Sequence, residues 1–429
     1  MAVNNIFKIK PYLVFNIIMV LWLSLVAIPL PFASPFGDEK SADIPLYEII
    51  TPILGIFLFV NRIKRATISR RSPLSIPLFM WFTLVILTYL RNPVALLNFG
   101  SISGIGALYH ILFKSIICMI IYFVSATILN TSLRLYGTAQ VILKTMIIGL
   151  FVMIVMYISG INIPFLTGGV SPWAVGTITL EEGVIYRCTA MSNYSELLIL
   201  TMICFSSTNN IKNLIIVLIL LILLILGGGR SALITLGVYS ILSFMLHPKT
   251  RMMILISTLL IILSLIFIAA SDIELPYTTR RVTNFSTESK AGIGGRYEMV
   301  SSSMKLIMEK PFFGYGYGEL SETKVSQLVA SGNPHTGFLS VMLSYGILGL
   351  VLFLWCLGTA IRIGLWLYMH IEDKFIKHLS LWVTLHLSGV MLNFFISSEA
   401  EKNIITYLDM GIITSIYSIY SIHKTLKYI

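Results

Sequence analysis

The chain reads as an all-α membrane protein of about twelve transmembrane helices, with both termini in the cytoplasm. Three observations lead there. The 429 residues are 56% hydrophobic and only 11% charged, whereas soluble domains carry about 25% charged residues. The apolar residues gather in runs of roughly 20, the length that crosses a hydrocarbon layer about 30 Å thick. Basic residues sit in short clusters between alternate runs, as orientation determinants do. The formal charge of +11 is spread in that pattern, which argues against a nucleic-acid partner.

In chain order, spans are expected at 12–30, 44–61, 74–90, 109–129, 141–158, 191–208, 213–227, 231–246, 252–270, 337–357, 379–397 and 404–421. Long continuous runs favour helices over a barrel of short alternating strands. The first run follows Lys8 and Lys10 and has the make-up of a signal peptide. Because many spans follow, it reads as the first transmembrane helix. With the N-terminus inside, cytoplasmic connections hold Arg62, Lys64, Arg65, Arg70, Arg71, Arg134, Lys212, Lys249, Arg251, Lys374 and Lys377, with Lys424 and Lys427 in the tail. The short outer connections hold little beyond Lys40, Arg91 and Lys402. Shifting one span would reverse every later loop and fit this bias worse. The organisation that follows is a first unit at 1–190, with five helices and an outer loop, and a second at 191–429. The second contains a long outer stretch at 271–336.

That stretch is polar and balanced, with seven basic and seven acidic residues, so it is a functional or structured loop rather than a one-signed tail. Within it Tyr297, Val300, Met304, Ile307 and Met308 recur at helical spacing before Pro311 stops the pattern. A short amphipathic helix near the outer interface is expected. The other outer connection, 159–190, holds Trp173, Glu181, Glu182 and Arg187. Four widely spaced cysteines form no CxxC pair, which leaves no thiol metal site or disulfide framework to expect.

Candidate residues concentrate on the outer side. Arg230 lies in Gly227-Gly228-Gly229-Arg230-Ser231, between two short spans, so the turn is expected to sit below the surface. A guanidinium there needs an anion, and its planar fork suits phosphate oxygens. The other reading is a tight turn whose Arg snorkels to headgroups. Arg296 follows Gly292, Gly294 and Gly295 and opens the amphipathic stretch; Arg280 and Arg281 lie upstream, where solvated charge is the plainer reading. His335, in Asn333-Pro334-His335-Thr336-Gly337-Phe338, sits at the outer mouth of a span and can exchange a proton near neutral pH. His110, His247, His370, His378, His386 and His423 have no comparable setting. No HExxH, no DxD triplet in the outer loops and no Walker phosphate loop is present. A metal-dependent reaction and cytoplasmic ATP are therefore both disfavoured, and no cofactor is expected.

Gly295-Arg296-Tyr297 with Glu309-Lys310-Pro311-Phe312-Phe313-Gly314-Tyr315-Gly316 resembles the C-terminal module of the O-antigen ligase and polymerase superfamily. So do Asn333-Pro334-His335-Thr336-Gly337-Phe338-Leu339 and Tyr345-Gly346-Ile347-Leu348-Gly349-Leu350, and Gly229-Arg230-Ser231 matches that family's first Arg element. The resemblance covers roughly residues 190–400 and makes 191–429 the ligase/polymerase-like module. It implies a helical bundle of the GT-C kind in the bacterial inner membrane, with its active site facing the periplasm.

The implied reaction is an inverting glycosyl transfer that consumes undecaprenyl-pyrophosphate-linked glycan and releases undecaprenyl pyrophosphate. Arg230 and Arg296 would hold the pyrophosphate, with Arg280, Arg281 and Arg187 as further candidates, and His335 would stand beside the reacting centre. His335 could accept the proton of the attacking hydroxyl; alternatively it positions a substrate while Glu181, Glu182, Glu319 or Glu322 acts as base. The acceptor would be a second lipid-linked repeat unit in a polymerase or lipid A–core in a ligase, with a chain-length regulator and a flippase as partners. Arg281 with Gly292 shows an Arg-x10-Gly spacing reported for polymerase loops, which tilts the reading towards polymerase; Arg187 does not repeat it, since position 198 is Leu. A polyprenyl-glycan flippase is the reading from another class, opposed by the lack of a repeat relating the two halves.

Overall fold

Among the described residues the long apolar runs form helices with no proline beyond the first turn, because the ring removes a donor and collides with the preceding turn. A computed structural model describes residues 22, 31–32, 44–45, 50–58, 72–90, 114–159, 176–180, 183–187, 189–205, 211–227, 230–248, 251, 254–255, 259, 300–316, 336–396 and 403–426. The named helices are α1 (Ser75–Leu90), α2 (Lys114–Ile128), α3 (Ser132–Ser159), α4 (Thr189–Phe205), α5 (Ile211–Leu226), α6 (Arg230–Leu246), α7 (Gly337–His370), α8 (Lys374–Ile396) and α9 (Ile404–Leu426). Helical stretches at 50–58 and 300–309 stand beside them.

Among the described residues, Ser132–Val155, Gly337–His370 and Lys374–Phe395 are long and apolar enough to cross a membrane, and five shorter apolar helices accompany them. Phe79, Phe151 and Ile222 are 72%, 66% and 57% exposed on apolar helices, the character of surfaces made for lipid rather than water. This is a membrane protein.

The interior is organised around α8, which packs against α7, α6, α4 and α9. Short connections reverse the chain between α4 and α5, α5 and α6, and α7 and α8. At the far end of α6, His247 Nδ1 lies 3.1 Å from the Tyr368 hydroxyl, which also donates to the Leu246 carbonyl at 3.0 Å. α6 and α7 therefore run in the same direction. One end of the bundle, the upper end below, thus gathers the starts of α4, α6, α7 and α9 and the ends of α5 and α8. Across the bundle Trp81 Nε1 donates to the Tyr407 hydroxyl at 3.0 Å, joining α1 to α9. Trp81 also packs edge-on against Tyr345 of α7.

Helix limits agree closely with expectation where runs are bounded by turns. α5 and α6 at Ile211–Leu226 and Arg230–Leu246 answer to 213–227 and 231–246. Four helices outrun it: α3 starts at Ser132 instead of 141, α7 continues to His370 instead of 357, α8 starts at Lys374 instead of 379, and α9 ends at Leu426 instead of 421. Part of the expected second span pairs as strand instead, with Pro31–Phe32 (β1) antiparallel to Ile44–Pro45 (β2). A second hairpin, β3 (Gly176–Leu180) with β4 (Gly183–Arg187), was not anticipated in the connection 159–190. Both strands are rich in β-branched residues, which favour extended backbone. The expected span 12–30 lies outside the described residues apart from Trp22, whose Nε1 donates to Thr51 Oγ1 at 2.9 Å. The ninth, 252–270, is described only at 254–255 and 259.

Candidate functional site

Two of the quoted motif segments, some thirty residues apart, meet as a clasp. At Gly346 helix α7 departs from helical geometry, with φ 66° and ψ −166°. In an unbroken helix Ile347 and Leu348 would donate to the carbonyls of Leu343 and Ser344, four residues back. Instead Ile347 N–H donates to the Pro311 carbonyl at 2.8 Å and Leu348 N–H to that of Phe312 at 3.4 Å. The carbonyls of Leu343 and Ser344 accept from Tyr315 N–H at 2.7 Å and Gly316 N–H at 3.0 Å. Four bonds from outside replace two lost within, so the break costs no unsatisfied backbone group.

Glycine is required on both sides. Gly314 and Gly316 take φ of 62° and 78°, a region L side chains rarely occupy. A Cβ at Gly346 would run into the Phe312 carbonyl, and one at Gly314 into the backbone of Leu343 and Ser344. The clasp fixes the helical stretch 300–309 against the start of α7. Leu306, Ile307 and Tyr315 pack there on Leu339 and Leu343. The expected amphipathic stripe is split: Ile307 is buried, while Val300, Met304 and Met308 are exposed. Lys310 Nζ lies 4.6 Å from the centre of the Tyr315 ring, whose hydroxyl donates to Glu309. Between this turn and the end of α1 is a cavity of about 610 Å³, lined by Leu84, Leu87, Thr88, Lys310, Phe312 and Gly314 among others.

The expected site residues relate to this frame through the chain. Arg230 is the first residue of α6. Arg187 is the last of β4, one residue short of the position before α4. Thr336 caps α7, its side chain accepting from Leu339 N–H at 3.4 Å, and His335 is the residue before it. The starts of α4, α6 and α7, with their partial positive charge, thus share the upper end with Arg230 and Thr336. His335, Arg296, Arg280, Arg281, Glu181, Glu182, Glu319 and Glu322 lie outside the described residues.

A second group of polar residues was not anticipated. Beneath the upper end, His386 Nδ1 of α8 contacts Asp409 Oδ2 of α9. The Glu196 carboxyl of α4 lies near Thr235 and Tyr239 of α6 and near His386. All five are buried. Gly389, one turn along from His386, lets α8 approach α6: a Cβ there would lie 2.5 Å from the Tyr239 ring. Counting from the nearest helix ends, these residues sit roughly 8–15 Å deep at 1.5 Å per residue. The signal for them is an acid or imidazole inside an apolar run, which in a membrane helix marks function by default.

Residues 215–354 match the O-antigen ligase family. That stretch is similar to the module of this family. The matched segment is 140 of the 429 residues, about a third, and it contains both halves of the clasp, Arg230 and His335. It supports membership of the O-antigen polymerase and ligase superfamily, whose members are glycosyltransferase-like enzymes acting on lipid-linked glycans. No curated relative matches the chain.

Proposed function

We propose that the protein polymerises undecaprenyl-pyrophosphate-linked oligosaccharide repeat units at the outer face of the bacterial inner membrane. The observation that carries this is the family match spanning 215–354, within which the clasp joins the outer stretch to the start of α7. Arg230 and Arg296 hold the donor pyrophosphate, with Arg187, Arg280 and Arg281 contributing to the same field, and the starts of α4, α6 and α7 add partial positive charge. A pyrophosphate leaves more readily where preorganised positive groups meet its developing charge. His335 acts next to the reacting sugar, as base or as positioning group beside the loop carboxylates Glu181, Glu182, Glu319 and Glu322. The apolar cavity with Lys310 at its edge has the mixed character that a polyprenyl pyrophosphate requires. Bond energy is already stored in the donor, so the transfer runs without ATP or a metal ion.

Purified protein supplied with defined lipid-linked repeat units should lengthen them without lipid A–core. Product formed only after lipid A–core is added would make the protein a ligase. Movement of the lipid across vesicles with no new glycosidic bond would make it a flippase. Replacing His335 with Ala should leave an inserted, folded protein that makes no product, read by glycan length on gels.

A further inference from the structure

A second cavity lies at the lower end of the bundle, opposite the clasp, where α3 packs on α4 but touches α8 only lightly. Its volume is about 250 Å³, and Tyr136, Leu143, Phe205, Phe375 and Trp382 are among the residues around it. Polar side chains in its wall bond to their neighbours. Trp382 Nε1 donates to Thr201 Oγ1 at 3.0 Å, and Thr201 Oγ1 donates to the Leu197 carbonyl at 2.8 Å. Gln140 Nε2 lies 3.4 Å from the Tyr136 hydroxyl. What such a wall offers a guest is apolar surface, which suits hydrocarbon rather than a sugar.

The rim is different in kind. Tyr136, Gln140 and Lys144 recur every fourth residue of α3 and so share one face. Tyr136 and Gln140 line the cavity, and Lys144, the next turn along, is exposed. Lys144 stands roughly 18 Å along the helix from Ser132 at 1.5 Å per residue. That is inside Ser132–Val155, a stretch long and apolar enough to cross a membrane. Ile147, Ile148 and Phe151 are exposed on the turns that follow. An ammonium among them is costly unless its apolar stem carries it to a phosphate. Below it the Tyr136 ring meets that of Phe375 edge-on, 5.0 Å between centres, which joins the first turns of α3 and α8. Those turns carry Arg134 and Lys374, both exposed. Arg134 Nη1 is held over the end of α2 by the Ile128 carbonyl at 3.1 Å and Asn130 Oδ1 at 3.2 Å. Lys377 lies over the Tyr368 ring. The acidic neighbours are Glu372 and Asp373, and Asp373 Oδ1 is turned to its own helix, accepting from Ile376 N–H at 2.9 Å. Positive charge therefore exceeds negative around the mouth.

We propose that this cavity takes an acyl chain of an anionic phospholipid, with the lipid phosphate at Lys144 and its headgroup towards Arg134 and Lys374. An apolar slot alone would accept any chain, so the selection comes from the rim. An anionic lipid brings a phosphate to Lys144 and no positive charge of its own. A zwitterionic one brings a second ammonium to a rim that is already basic. Basic pockets between helices are where anionic lipid heads bind. The bound chain fills the gap between α3 and α8 and so ties α3 to the rest of the bundle. Nothing in this site depends on the reaction at the upper end.

Native mass spectrometry of the full chain tests the site, with phosphatidylglycerol and phosphatidylethanolamine of identical acyl chains titrated into the detergent-purified protein. One phosphatidylglycerol should be retained per chain, about tenfold more tightly than phosphatidylethanolamine. It should also raise the unfolding temperature, as a ligand of the folded state does. Lys144→Gln, at an exposed position, should fold, weaken phosphatidylglycerol about fivefold and leave phosphatidylethanolamine unchanged. Ala139→Phe, which fills the cavity, should weaken both lipids. Equal retention of the two lipids by the wild type, or unchanged phosphatidylglycerol binding in Lys144→Gln, overturns the proposal whether or not Ala139→Phe folds. Unchanged binding in folded Ala139→Phe also overturns it, by placing the lipid elsewhere. Undecaprenyl phosphate that displaces phosphatidylglycerol at a lower concentration would give the cavity to a polyprenyl chain instead, and the phospholipid site would fall. Each readout is taken without turnover, so failure here leaves the transferase reading where it stood.

Discussion

The clasp at Gly346 and the buried group around His386 lie in the same bundle and hold it by opposite means. The clasp is made of backbone: Pro311, Phe312, Tyr315 and Gly316 form backbone hydrogen bonds with Leu343, Ser344, Ile347 and Leu348. Side-chain identity matters there chiefly where no side chain fits. The buried group is made of side chains, one each from α4, α8 and α9 and two from α6, and the backbone around it is ordinary helix. A backbone device needs its glycines in consecutive short segments, and so it leaves recognisable words in a sequence. A side-chain device needs single residues on four separate helices, and so it leaves none.

The largest effect should come from breaking the backbone device. Gly346→Ala places a Cβ against the Phe312 carbonyl at a backbone conformation reserved for glycine. Strain of this kind costs of order 1–3 kcal/mol, and loss of the four exchanged bonds adds to it. The expected outcome is a protein whose outer stretch is cleaved readily by added protease and which makes no glycan product. Wild-type protease resistance and turnover would show that the clasp is dispensable.

How much of this was legible depends on what each feature asks of its residues. Spans were readable from hydropathy wherever a turn ended the run, as at Gly227 between α5 and α6. They were misjudged where a helix continues past the hydrocarbon. Hydropathy reports the solvent around a segment and not its hydrogen bonding, so α3 was begun nine residues late and α7 ended at 357 although it continues through Arg362 to His370. The motif containing Gly314 and Gly346 was legible as a resemblance, but its physical reason, the exchange of hydrogen bonds, was visible only once both segments were seen together. His386 has no setting in the sequence comparable to that of His335, because its neighbours Glu196 and Asp409 are distant in the chain and none belongs to the quoted motifs.

A smaller effect should come from prising the side-chain device apart. Gly389→Val forces α8 away from the Tyr239 ring, 2.5 Å from the nearest added carbon. Overpacking of this sort costs roughly 1–3 kcal/mol. Because the clash is with one ring, Tyr239→Leu in the same chain should recover part of the thermal stability, measured as unfolding temperature in detergent. No recovery in the double variant would mean that the strain spreads beyond the α6–α8 contact.

The smallest effect sharpens the comparison from the other side. Tyr315 contributes both backbone and side chain to the clasp: its N–H bonds Leu343, its hydroxyl bonds Glu309, and Lys310 lies over its ring. If the clasp is a backbone device, Tyr315→Phe removes only the hydroxyl bond, worth about 1 kcal/mol, while keeping the peptide exchange and the ring beneath Lys310. The unfolding temperature should fall slightly, and protease resistance of the outer stretch and glycan length should stay as in the wild type. Should Tyr315→Phe instead abolish product as Gly346→Ala does, the hydroxyl would be acting on substrate, and the division between a backbone clasp and a side-chain site would have to be redrawn around Glu309 and Tyr315.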